Sequence, residues 1–306
     1  MTFRGEDEPR RESGRTPPLP ARAEGREGAS RRSPLLLLLA VLVLALLVVA
    51  ALYVWRSLGD ELSGTSVARD SVDSGPEPRV RVTNGAGKVR VEGAQGLNAV
   101  EYEVTKYAQG PDPAAAKRSA SEVPVDFSRE DSTLVLSTDG GRGTGADYAI
   151  RVPAGSAVEV EAAAGDVEVT GVSGNVRILA EAGDVTVRNT GSDVSIEAPQ
   201  GDVAIEDVNT ETGQAELVVG AGDVELRDLI VGTIEASVQS GDVTLSGRFS
   251  GSGRIFVQTG GITANLPAED TRELTLETRV GEVVRETPDE EQPQQNEESP
   301  QQSEGS

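Results

Sequence analysis

The chain has 306 residues, no cysteine, no histidine and a formal net charge of −23. The lack of cysteine excludes disulfides, thiolate metal sites and cysteine nucleophiles. The lack of histidine removes the Ser-His-Asp and Cys-His mechanisms together with the commonest zinc and iron ligand. A catalyst would have to use Asp, Glu, Lys, Tyr or a borrowed metal, so the expectation from composition is a protein that is not an enzyme. The acidity sits beyond the first segment: residues 1–33 hold eight Arg against six acids, and the rest is strongly negative. Such a surface repels nucleic acid and anionic lipid headgroups and suits cations or basic partners.

Residues 1–33 are rich in Arg, Glu, Pro, Gly and Ser with almost no large apolar side chains, the composition of a disordered segment. Next come 21 uninterrupted apolar residues, Leu35 to Trp55, which as a helix span about 31 Å, enough to cross a bilayer core. The run exceeds the apolar core of a cleaved signal peptide and ends in bulky Tyr53, Val54 and Trp55, so a transmembrane helix over 34–55 is expected. Arg31 and Arg32 flank its start, whereas Asp60 and Glu61 follow its end. The positive-inside rule then puts the N-terminus in the cytoplasm and residues 56–306 outside it, anchored in the cell membrane. Residues 56–78 read as a polar linker.

Residues 79–286 read as one β-strand-repeat domain, with 79–164 as an irregular cap region and 165–286 as regular coils. In the first part Arg79–Thr83, Lys88–Val91 and Val100–Val104 alternate in polarity, Ala114 to Ala120 reads as a short helix after Pro113, and further strands are expected at Val123–Phe127, Thr133–Ser137 and Tyr148–Val152. Tyr102, Tyr107, Phe127 and Tyr148 give this part the larger side chains that suit a cap over a thin core.

From Gly165 a five-residue pattern recurs: Gly, polar, apolar, any, apolar. It appears as Gly165-Asp166-Val167-Glu168-Val169, and again from Gly183, Gly201, Gly222 and Gly241, with weaker copies from Gly260 and Gly281, at spacings of 18 to 21 residues. A second series, beginning Gly174-Asn175-Val176-Arg177-Ile178, lies midway between copies of the first. Period-two alternation marks half-buried strands, and Gly followed by Asp or Asn is turn chemistry. Two strands and two turns per 18–21 residues make one coil of a parallel β-solenoid, each strand pairing with its equivalent one coil later. An antiparallel sandwich of hairpins also has turns every 8–12 residues, but has no reason to repeat its own sequence. Residues 287–306 are Gln, Glu, Pro and Ser without a basic residue and read as a disordered acidic tail.

The segment Tyr148-Ala149-Ile150-Arg151-Val152-Pro153-Ala154-Gly155, followed by Val158-Glu159-Val160 and the Gly-Asp-Val ladder, resembles the bacterial "putative adhesin" β-strand-repeat family, a domain of unknown function on membrane-anchored or exported proteins. The resemblance covers roughly residues 80–286. It implies a β-solenoid-like domain and surface adhesion, and it brings no catalytic residues.

In a solenoid Asp166, Asp184, Asp202, Asp223 and Asp242 stack along one edge, about 4.8 Å apart. Their mutual repulsion requires an offset: hydrogen bonds from turn amides, splayed side chains, or bound cations such as weakly held calcium. Each turn supplies one acid and lacks the Gly-Gly-x-Gly-x-Asp signature of calcium-binding rolls, so turn formation is the expected role, with a weak calcium ladder as the alternative. The glycine clusters 140–145 and 251–253 lack the lysine of a phosphate-binding loop. Four functions fit this reading: surface adhesion or contact with cell wall or neighbouring proteins, an envelope-stress sensor, a purely structural spacer, and a β-helix carbohydrate enzyme with no identifiable carboxylate pair.

Overall fold

The computed structural model describes residues 63–130, 132–267 and 274–286, all within the unit Arg56–Ser306. The expected N-terminal segment, transmembrane helix and acidic tail lie outside these residues. Among the described residues no helix is long and apolar enough to cross a membrane.

The alternating segments become short strands whose apolar residues are buried. After a cap strand β1 (Ser63–Asp73), the chain forms β2 (Arg79–Asn84) and β3 (Val89–Ala94) as one coil. It leaves through β4 (Ala99–Gln109), helix α1 (Pro113–Glu122) and β5 (Asp126–Glu130), then makes a second coil from β6 (Thr133–Thr138) and β7 (Thr144–Pro153). Further coils follow as β8 (Ala157–Ala162), β9 (Val167–Thr170), β10 (Val176–Ala180), β11 (Val185–Thr190) and β12 (Val194–Gln200). Two long strands, β13 (Val203–Ala221) and β14 (Val224–Ser240), bend from one face onto the other. The series ends with β15 (Val243–Phe249), β16 (Gly253–Thr259), β17 (Ile262–Asn265), β18 (Leu274–Val280) and β19 (Val283–Glu286).

The pairing is that of a parallel solenoid with two faces. On the first face β6, β2, β8, β10, β12, the second halves of β13 and β14, β16 and β18 pair in parallel in that order. On the second, β7, β3, β9, β11, the first halves of β13 and β14, β15, β17 and β19 do the same. In-register stacking aligns like with like: Val169, Val187, Ile205, Leu226 and Leu245 form one buried column. The column narrows to Ala264 and ends at exposed Arg285.

Two features depart from the sequence reading. Residues 79–94 are not irregular. They form a regular coil lodged between the coil of β6 and β7 and that of β8 and β9, so spatial order differs from chain order. Part of the expected linker, Ser63–Asp73, is strand β1, paired antiparallel with β4 along its whole length. It was invisible to pattern reading because most of it is exposed: main-chain pairing and the Arg69–Glu103 ion pair (2.7 Å) hold it, not an apolar stripe.

β4 in turn pairs antiparallel with β7, and β5 pairs antiparallel with β6. Helix α1 starts where Asp112 accepts a hydrogen bond from the Ala115 amide at 2.8 Å with Pro113 in the first turn. It buries Ala116 and Ala120, and Lys106 donates to the carbonyls of Ser121 and Val123 at its end. A side chain on Gly64 would meet the Lys117 amide at 2.1 Å, so only glycine lets the helix lie this close to β1. Tyr102 and Phe127 stack with centroids 5.7 Å apart, and the Tyr148 hydroxyl reaches Thr138 inside the core. Of the four aromatics expected to cap the core, Tyr148 is buried in it and Tyr102 packs against it, whereas Phe127 is exposed.

Candidate functional site

The aspartate edge is built by its glycines. Gly165, Gly183, Gly201, Gly222 and Gly241 all have positive φ, from 124° to 153°. A Cβ on Gly201 would lie 2.1 Å from the carbonyl oxygen of Gly183 one coil earlier. Glycine is required here by conformation and by close approach together.

This turn places each following aspartate beneath the next coil's backbone. Asp166 accepts from the Asp184 amide at 3.2 Å, Asp184 from Asp202 at 3.0 Å, and Asp202 from Asp223 at 2.8 Å. Asp223 accepts from Asp242 at 2.8 Å, and Asp242 from the Gly261 amide at 2.7 Å. Asp147 does the same for Lys88 at the cap end. The five aspartates therefore stand in the row expected of them, and one oxygen of each is committed to a turn amide, which supplies the offset to their repulsion. All five are exposed. Among the described residues no three or more acidic groups are arranged to hold a metal ion.

The opposite edge carries a signal that pattern reading missed. Four residues after the first strand valine of the coils that begin at β9, β11, β13, β14 and β15, Gly171, Asn189, Asp207, Asp228 and Gly247 adopt positive φ. Asn and Asp tolerate this left-handed turn better than other side chains, which is why they share the position with glycine.

The two outer faces differ in how many charges they pair: on the first, Arg81 meets Glu159 at 2.9 Å. On the second face acids and bases pair across strands, Arg90 and Lys88 with Glu168, Arg188 and Arg227 with Glu206, and Arg151 with Glu101, and Arg227 also pairs with Glu225 of its own strand. Hydrogen bonds from Arg90 hold the Glu168 carboxyl below its ordinary value against an opposing push from burial. Arg69 lowers Glu103 in the same way. Burial raises the Tyr148 phenol, so no described tyrosine of the core is poised as a base. Arg69, Arg90 and Arg151 border an open hollow of about 610 Å³, with Ala149 and Ile150 contributing to its lining.

The first face has a different character. Val218 is 48 % exposed and lines a groove of about 320 Å³ with Pro199, Gly220 and Phe256. Its sequence signal was the run Leu217-Val218-Val219, which breaks the alternation of the strand. Phe249, by contrast, is buried. The glycines of 140–145 form a tight turn in which Gly141 and Thr144 exchange backbone hydrogen bonds before β7.

Fold and edge together define an all-β parallel solenoid whose coils are locked by a glycine–aspartate corner. The chain belongs to the Toastrack DUF4097 family, which its residues 81–306 match. It is similar in fold to a "putative adhesin" from Bacteroides fragilis, at 16 % identity over 72 % of this chain and 97 % of that one with a TM-score of 0.47. It is also similar to a "putative cell adhesion protein" from Clostridium sporogenes (11 % identity, 74 % and 99 % covered, TM-score 0.34). A further similar structure is a "putative adhesin" from Parabacteroides distasonis (12 % identity, 72 % and 97 % covered, TM-score 0.36). No curated protein matches the chain.

Proposed function

We propose that the chain is a non-enzymatic, membrane-anchored envelope protein whose solenoid makes contact with cell wall, a neighbouring surface protein or another cell. The observation that carries this reading is the division of labour within each coil. Inward residues are spent on a thin apolar core and corner residues on turn geometry, which leaves two rigid outer faces as the surface free to meet a partner. The apolar run Leu35–Trp55 supplies the anchor, and the positive-inside rule puts the solenoid beyond the membrane.

The test uses the full chain in detergent micelles, co-sedimented with isolated cell-wall sacculi and with whole cells, with and without calcium. Saturable binding is expected, and it should vanish in a chain that keeps residues 1–62 but lacks the solenoid. Retained binding by that truncated chain would sink the reading.

A further inference from the structure

The groove on the first face lies among acids that lack the partners their counterparts on the second face possess. Glu197, Glu216 and Glu235 lie on β12, β13 and β14, and among the described residues none takes part in an ion pair or hydrogen bond. Glu216 and Glu235 are direct partners in register, so two like charges stand side by side, and Arg254 is the register partner on the far side of Glu235. On the second face Glu206 stands in register with Arg227, which bonds to both Glu206 and Glu225. Elsewhere on the first face Arg81 pairs with Glu159, so the excess of negative charge is local to β12–β14, where Arg254 is the base in register against three acids.

Beside these acids the surface turns apolar. Val218 follows Glu216 by two residues on the same side of its strand and is among the five large apolar side chains left exposed in the described residues. Leu179 and Phe256 extend the apolar line on alternate strands, about 10 Å from Val218 on either side. Gly220 keeps the floor low, since a Cβ there would sit 2.3 Å from the Pro199 carbonyl oxygen. Apolar contact next to unmatched negative charge is the complement of a side-chain set that is both basic and apolar.

We infer that the first face, between β12 and β16, docks a polypeptide segment of a partner protein in which Lys or Arg alternates with aliphatic or aromatic residues. The apolar side chains fill the groove along Pro199, Val218 and Phe256, and the cations meet Glu197, Glu216 and Glu235. This rests on the contact role proposed above and gives it a face and a partner chemistry. A saccharide fits less well: the groove offers a single aromatic side chain, Phe256, beside fixed negative charge, and a neutral sugar has no charge to match.

The test titrates the full chain in detergent micelles with a fluorescent peptide alternating Lys and Val. Peptides alternating Glu with Val and Lys with Ser, and a chitin oligosaccharide, serve as comparison probes. Binding of the Lys-Val peptide is expected, weakened about tenfold or more by the pair Glu216→Lys and Glu235→Lys. The single exposed change Val218→Lys should weaken it as well, and circular dichroism should show both variants folded. The pair Glu92→Lys and Glu282→Lys, equal in charge change but away from the groove, should leave affinity within about twofold.

Equal weakening by both pairs would overturn the inference, because overall charge alone would then act. Equal binding of the Lys-Ser peptide would overturn the role of the groove, and preference for the oligosaccharide would overturn the partner class. If no peptide binds while the chain still sediments with cells, this face is wrong and the contact role stands; if neither occurs, both fail.

Discussion

Asp202 is the place to separate turn chemistry from cation binding. Its carboxylate accepts from the Asp223 amide, and its own amide donates to Asp184. Neighbouring ladder charges about 4.8 Å apart repel by about 0.9 kcal/mol in a water-like dielectric, and Asp202 has two such neighbours before salt screens them. A hydrogen bond to a charged acceptor contributes about 1.5–3 kcal/mol and one to a neutral acceptor about 0.5–1.5. Asp202→Asn exchanges the stronger bond for the weaker and relieves the repulsion, so stability should change by less than about 1 kcal/mol. Asp202→Ala gains the same relief but loses the acceptor, for a net loss of about 1 kcal/mol. Urea denaturation of the full chain in micelles, followed by circular dichroism at low and high salt, reads both. Added salt should stabilise the parent chain more than the Asn variant. An Asn variant as unstable as the Ala variant, or a calcium-dependent rise in the parent's midpoint that the Asn variant lacks, would refute the acceptor account and favour a cation ladder.

Gly201→Ala should cost about 3 kcal/mol or more, from positive-φ strain and from a Cβ only 2.1 Å from the Gly183 carbonyl oxygen; a midpoint within experimental error of the parent's would show that the corner relaxes freely. Because Arg90 lowers the Glu168 carboxyl, the stability it contributes is full above the ordinary carboxylate value and fades as pH falls through the lowered one. With Glu168 22 % and Arg90 56 % exposed, Glu168→Gln should lose no more than about 0.5–1 kcal/mol at neutral pH, and the two proteins should converge in acid; a gap that stays constant with pH would contradict this. Arg285 ends the buried column that runs through Leu245 and Ala264, and an inward charge at an edge strand discourages end-to-end pairing. Arg285→Leu should therefore promote self-association in sedimentation velocity, and an unchanged sedimentation coefficient would argue against a guarding role.

Much of this architecture was legible in the residues. A Gly-Asp-Val-x-Val segment repeated every 18 to 21 residues can satisfy its backbone, bury its valines and turn its corners in one way at every copy, so repetition itself specified coils, register and faces. The five aspartates were correctly expected in one row for the same reason. What they do there was left open between amide acceptance and calcium, because the choice depends on where the next coil's amide falls.

Three features needed the folded chain. Strand β1 carries no apolar stripe and exists because β4 presents an open edge to it. The coil of β2 and β3 lies between two coils made later, a placement fixed by pairing with β6 and β8 on one face and with β7 and β9 on the other. The contrast between the paired charges of the second face and the unpaired Glu197, Glu216 and Glu235 of the first is a property of lateral neighbours 18 to 21 residues apart. By itself the sequence determined which side of each strand faces inward, since period-two alternation and burial act within a few residues. Tertiary structure alone decided which strands became neighbours and which charges met, because those contacts depend on the order in which coils stack.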